Sequence, residues 1–294
     1  MSLQDIHGVG DATAKHLRED GIETIADLAK ADPSDLSLTD NTAQTLVNRA
    51  QQEAIVSKTA ADLHAEFKQA DYASTGIDAV DDILGGGWEA ETIGIIYGKS
   101  GEGKTQLAFS TIAEVAANGD VVYLQTEMQS KSIAERLATF ADDPAVLENI
   151  TIYEAYSISE QYNTYEKITD EHENMDLLVI DSLTAQFRMT DRFDGRQNLS
   201  DRSSVLGKHL KRLGEIARVY EIPIVLTGQV YPKPEQYGKG DVLWGGEKLR
   251  HFISYFIRMS SAQGELQEVT LENHPGKAEE GTEITITDSG ISGM

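Results

Sequence analysis

The chain has 294 residues, enough for about two domains of ~100–200 residues each, and 40% of them are hydrophobic and 25% charged, the balance of a water-soluble globular protein. It contains no cysteine, which excludes disulfides and thiolate metal sites, and no window approaches the ~18 apolar residues of a membrane span. Acidic residues number 49 against 25 Lys plus Arg, formally −24, and they lie scattered as on a halophile-type solvated surface, so net charge leaves any polynucleotide site to a local basic patch.

The N-terminus, MSLQDIHGVG, lacks the basic start and apolar run of a secretion signal, so we expect a cytoplasmic protein with no membrane partner. Residues 1–65 read as short helices. Leu3, Ile6, Val9, Ala14 and Leu17 recur at near-helical spacing, interrupted by Gly8 and Gly10. Thr24 is placed to cap a helix, the run 32–35 opens a turn, and a longer helix is expected from about 41 to 58. Residues 66–76 form a linker. From there to 294 the pattern alternates between apolar runs (93–97, 121–124, 150–153, 177–180, 222–227) and amphipathic stretches such as 104–118 and 203–220. This is an α/β domain with a mainly parallel sheet, closed by short strands near 256–258, 269–271 and 284–287.

GKSGEGKT (98–105) fits G-x-x-x-x-G-K-[ST] between a strand and a helix. Gly98, Gly101 and Gly103 let successive N–H groups face a phosphate, with Lys99, Ser100 and Glu102 completing the loop and Gln106 following it. Lys104 supplies a point charge for the β- and γ-phosphates, and Thr105 offers a hydroxyl to Mg²⁺. Asp181 ends the buried run LLVI as a second magnesium-side group; its alternative is a turn-opening Asp. Glu127, after VVYLQT, is the candidate for orienting or deprotonating the attacking water; its alternative is a helix-N-terminal acid. Gln229, ending IVLTGQ, is placed to sense a γ-phosphate. The set describes a site that binds and hydrolyses ATP with Mg²⁺, and K⁺ is a further cation candidate.

Beyond this chemistry the chain resembles the RecA/RadA recombinase family, in its archaeal RadA/RadB branch. The resemblance rests on DDILGGGWEAETIGIIYGKSGEGKTQLA, LLVIDSLTAQFR, GRQNLSDRSSVLGKHLKRLGEIARVYEIPIVLTGQV, WGGEKLRHF and EITITDSGI, in family order over roughly 75–290. It implies a RecA-like P-loop ATPase core at 77–294, acting on DNA in recombination and repair as a ring or helical filament. It also implies that Arg136 stacks on adenine. Two loops near the filament axis would hold single-stranded DNA. The first, at about 188–202, carries Arg188, Arg192, Arg196 and Arg202; the second, at about 231–245, carries Tyr231, Lys233, Tyr237, Lys239 and Trp244. Phe67 and Ala70 match the Phe-x-x-Ala motif by which family members clip into a neighbouring protomer.

IHGVGDATAKHL resembles a helix–hairpin–helix module, which makes 1–65 a small all-α DNA-binding domain. In it Gly8 and Gly10 present N–H groups to a phosphate of double- or single-stranded DNA, with Lys15 assisting. The sequence departs from the family at Gln125-Thr126-Glu127-Met128, at Gly228 where Asn is common, and in a short connection after Phe67. Its LENHPGKAEEGTE stretch resembles the RadB tail. An accessory paralogue that binds ATP and DNA, hydrolyses little and helps another recombinase load is therefore the first alternative. A KaiC-like signalling ATPase without DNA binding is the second.

Overall fold

The structure, a computed structural model, describes residues 3–53, 59–60, 72–127, 130–141, 143–190, 198–232, 241–287 and 290–293. The chain separates into two units, Met1–Gln69 and Ala70–Met294.

The first unit holds helices α1 (Asp11–Glu19), α2 (Ile25–Lys30) and α3 (Asp40–Glu53). Thr24 opens α2 with a reciprocal cap: Asp27 N donates to Thr24 Oγ1 (3.1 Å), and Thr24 N donates to Asp27 Oδ2 (2.8 Å). Asp32 caps the turn Pro33–Asp35 by accepting from Ser34 N at 2.8 Å. Leu3, Ile6, Val9, Leu17, Leu28, Leu46 and Val47 close one buried core. The chain turns into α1 at Gly8, whose φ of +98° is one that a side chain would strain. The Arg49 guanidinium closes over this turn by donating to the His7 carbonyl. The helix expected to reach 58 is described as far as Glu53.

In the second unit a short antiparallel pair, β1 (Tyr72–Ala73) and β2 (Trp88–Glu89), flanks α4 (Asp78–Leu84). There follow β3 (Ile93–Gly98), α5 (Lys104–Ala116), β4 (Asp120–Gln125), α6 (Ser130–Leu137), β5 (Ile150–Glu154), α7 (Ile158–Glu171), β6 (Met175–Asp181), α8 (Ala185–Met189) and α9 (Leu199–Tyr220). The chain continues through β7 (Ile224–Pro232), β8 (Asp241–Leu243), α10 (Glu247–Arg250), β9 (Tyr255–Ser261), β10 (Leu266–Asn273), β11 (Glu280–Thr287) and β12 (Gly290–Gly293).

The sheet order is β12-β11-β10-β9-β3-β7-β6-β4-β5, with β8 hairpinned onto β7. Every pair from β9 to β5 is parallel, and β9 to β12 form an antiparallel meander. The parallel strands read as continuous apolar runs because both faces are covered. Ile95, Val122, Leu124, Ile180 and Leu226 face α7 and α9, while Ile96, Val121, Tyr123, Val179 and Val225 face α4 and α5. This is the RecA-like α/β architecture that the sequence led us to expect. The strand expected at 222–227 begins at Ile224 and runs on to Pro232, because the ladder with β8 (Val230 opposite Leu243) gives its far end a partner.

The face under α9 buries His209, 1% exposed, against the rings of Tyr162, Tyr165 and Phe187. Burial pulls its imidazole down to about 4, so it is neutral in the folded chain at neutral pH. The unfolded chain binds this proton near 6.5 and the folded chain only near 4, so stability falls as pH drops through that window. His209→Phe is expected to flatten the decline by on the order of 2–3 kcal/mol between the two values. Denaturant unfolding of both proteins across that range checks it; parallel slopes would contradict it.

Candidate nucleotide and nucleic-acid site

Parallel register brings the ends of four neighbouring strands to one edge. Gly98 lies opposite Gln229, and Gln125 opposite Asp181. Ligands of parallel α/β sheets bind at this carboxyl edge, and here the strand ends surround a polar cleft of about 350 Å³. The turn between β3 and α5 gives it Ser100, Gly101, Gly103, Lys104, Thr105 and Gln106, and Arg136 enters from α6. Gly103 takes φ +87° at the start of α5, and a Cβ there would overlap the Ile286 side chain. Gly98, Lys99 and Glu102 build the turn rather than line the cleft. The Glu102 carboxylate accepts from Lys99 N, and the Lys99 ammonium reaches Asp241 at 3.0 Å.

Lys104 is 8% exposed and donates to the Lys99 carbonyl at 2.6 Å. Burial pulls its ammonium below the ordinary range, and Asp181, Glu102 and Glu127 oppose that pull. Thr105 Oγ1 donates to Asp181 Oδ2 at 2.7 Å, so the two expected magnesium-side groups meet. Asp181 also accepts from Tyr123 (3.2 Å to Oδ2) and from Thr227 (on Oδ1). Burial first, and the charge of Asp181 second, push the Tyr123 phenol up, which keeps it an O–H donor. Tyr123 and Thr227 went unnoticed in the sequence, although each is a lone polar group in an apolar strand. Also missed were Glu265 and Gln267 of the meander, which line the cleft.

These residues fit a nucleotide with its cation. A glycine turn opens a helix at the cleft, a buried lysine sits beside it, and a hydroxyl–carboxylate pair offers hard oxygen donors. In addition, Gln267 Oε1 is buried without a hydrogen bond among the described residues.

Glu127 lines the cleft at the end of the β4 segment. Its Oε1 accepts from Ser182 Oγ (2.8 Å) and from Arg188 Nη2 (3.2 Å). Arg188 Nη1 donates to Gln229 Oε1 at 2.5 Å. Arg188, expected at the start of the first DNA loop, stands in the last turn of α8 and pairs here with these two cleft residues.

Arg202 is likewise helical, in α9, with its guanidinium 4.7 Å from the Trp244 ring centroid. A residue of each expected loop is thus engaged with the other. Tyr231 lies on β7, paired with Val242 and 43% exposed. Arg192, Arg196, Lys233, Tyr237, Lys239, Phe67 and Ala70 fall outside the described residues.

In the first unit the Gly8 turn leads to Gly10, the residue before α1. Lys15 stands exposed, 3.7 Å from Glu19, a pairing too solvated to contribute much.

The family model described as Rad51 matches residues 68–294, and the one described as SAM-like helix-hairpin-helix tandem matches 1–53. The DNA repair and recombination protein RadA of Metallosphaera sedula is 29% identical over 99% of this chain and 95% of its own length. The RadA proteins of Aeropyrum pernix and Ignicoccus hospitalis are each 31% identical, over 98% and 99% of this chain and 96% and 95% of their own lengths.

Proposed function

The chain belongs to the RecA/RadA recombinase family, as a member of its Rad51 group, and from that premise we propose that it is a DNA-dependent ATPase of recombination and repair. It binds single-stranded DNA as an ATP-bound oligomer and pairs that strand with a homologous duplex. One observation carries the ATPase reading: Lys104, Thr105, Asp181, Glu127 and Gln229, drawn from four separate segments, all line one cleft.

The phosphates sit in the glycine turn and against Lys104, whose charge is worth most in a site removed from water. Thr105 and Asp181 hold magnesium, which when bound neutralises phosphate charge. Glu127 orients the attacking water. Gln229 links the cleft to the distal half of β7, which leads toward the second loop, and Arg136 covers the base. The hairpin around Gly8 and Gly10, with Lys15, grips a DNA backbone independently of sequence. Phe67 and Ala70 clip one protomer to the next.

No described helix is long and apolar enough to cross a membrane, and the acidic surface calls for assays in concentrated potassium chloride. Turnover of ATP by the purified protein, with and without single-stranded DNA, tests the proposal. Stimulation by the strand is expected. ATP and DNA binding without turnover would favour the accessory paralogue instead, and absence of DNA binding would favour the signalling ATPase.

A further inference from the structure

We propose that Arg188 is a positioning residue for ATP hydrolysis: one guanidinium ties the carboxylate of Glu127 to the amide of Gln229 and sets both toward the cleft. The inference rests on the ATPase reading above. It replaces a phosphate contact to DNA, the role that the position of Arg188 beside the first loop suggests, with an intramolecular one.

Two donors of the same fork are used on two different groups. Nη2 meets Glu127 Oε1 at 3.2 Å and Nη1 meets Gln229 Oε1 at 2.5 Å. Glu127 and Gln229 both line the cleft and Arg188 does not, so the guanidinium acts from behind them. Arg188 and Glu127 are partly exposed at the rim, with side chains 28% and 29% exposed. Two charge-assisted bonds from one planar fork restrain its orientation better than a single surface ion pair does.

The division of labour on Glu127 is informative. Its Oε1 takes both Ser182 Oγ and Arg188, which leaves Oε2 without a hydrogen bond among the described residues, on a side chain that borders the cleft. An acceptor held from one side and open on the other suits the orientation of a water. Gln229 is fixed the same way, since its carbonyl oxygen is engaged and its NH₂ is left for the cleft. The tie also joins the residue just past β4 to the middle of β7, with β6 between the two strands in the sheet order, so a shift of either group is passed to the other. Lysine carries a single charged centre and cannot reproduce the fork, although it restores part of the charge.

The experiment compares wild type, Arg188→Gln and Arg188→Lys for ATP turnover without DNA and with saturating single-stranded DNA, for KM, and for nucleotide-free affinity toward single-stranded DNA over a salt series. Arg188→Gln is expected to lower kcat about tenfold or more with KM nearly unchanged, as for loss of an outer-shell partner. Arg188→Lys should recover part of it. DNA affinity and its salt slope should stay as in wild type. Unchanged kcat, or a shallower salt slope with weaker DNA binding, would overturn the tie and return Arg188 to a backbone contact. A fall in kcat with a matching rise in KM and a lower unfolding midpoint would overturn it as a merely structural loss. Wild type without any turnover, even with saturating single-stranded DNA, would remove the ATPase reading and the tie together, whereas turnover in wild type with an unaffected Gln variant removes the tie alone.

Discussion

Lys104→Ala is expected to lower ATP turnover by about a thousandfold, the scale of losing a preorganised charge at a transferring phosphoryl group. The ammonium is buried at the start of α5 and anchored to the Lys99 carbonyl. No other lysine lines the cleft among the described residues, and Arg136 enters from a different helix. Burial has already been offset by Asp181, Glu102 and Glu127, so the site is arranged to keep this one charge. The alanine leaves those carboxylates without their cation, and nucleotide affinity should fall with turnover. Steady-state turnover and fluorescent-nucleotide titration check both, and a variant that still hydrolyses at the wild-type rate would refute the site.

The second large effect is expected at Asp181. Asp181→Ala should abolish magnesium-dependent turnover and also cost stability, because three donors lose one acceptor. Thr105, Tyr123 and Thr227 all donate to this carboxylate, and Tyr123 and Thr227 are almost wholly buried. A buried donor left unsatisfied costs about 1–3 kcal/mol. Asp181 is also the strongest countercharge to Lys104, so its removal pulls the lysine further below its ordinary range. Asp181→Asn separates the contributions: it keeps an oxygen for a hydroxyl donor but has no charge for magnesium. Turnover titrated with magnesium should be lost in both variants, whereas denaturant unfolding should spare the asparagine variant more than the alanine one. Wild-type magnesium response in either would contradict the assignment.

Much of this architecture was legible in the sequence because buried parallel strands announce themselves as apolar runs. The runs at 93–97, 121–124, 150–153 and 177–180 became β3, β4, β5 and β6. The glycine turn was equally plain, since its spacing follows from how backbone N–H groups must face an anion. Long-range pairing was not legible. That Arg188 turns to Glu127 and Gln229, 61 and 41 residues away in sequence, depends on strand order, which no local pattern encodes. Arg202 shows the same limit. Beside a polar run it reads as a loop cation, yet the helical spacing of Leu199, Leu206, Leu210 and Leu213 carries α9 back past it and sets it over Trp244. The extension of β7 beyond 227 needed β8 as a partner, across the intervening residues. Gln267 carries no signal in its neighbourhood. Only the antiparallel meander brings β10 to the cleft.

The cleft and both expected DNA segments are physically joined. Gln229 in the cleft stands on the strand that leads to the second segment, and the Lys99 ammonium of the phosphate turn pairs with Asp241 where β8 returns from it. Arg188 stands at the start of the first. Nucleotide occupancy should therefore govern how tightly the protein holds a single strand. The direct measurement is the affinity for a fluorescent single-stranded oligonucleotide in concentrated potassium chloride, with and without a slowly hydrolysed ATP analogue and magnesium. The account predicts that the analogue tightens binding by about tenfold or more, the usual scale of coupling between two sites. Equal affinity with and without it would contradict the account.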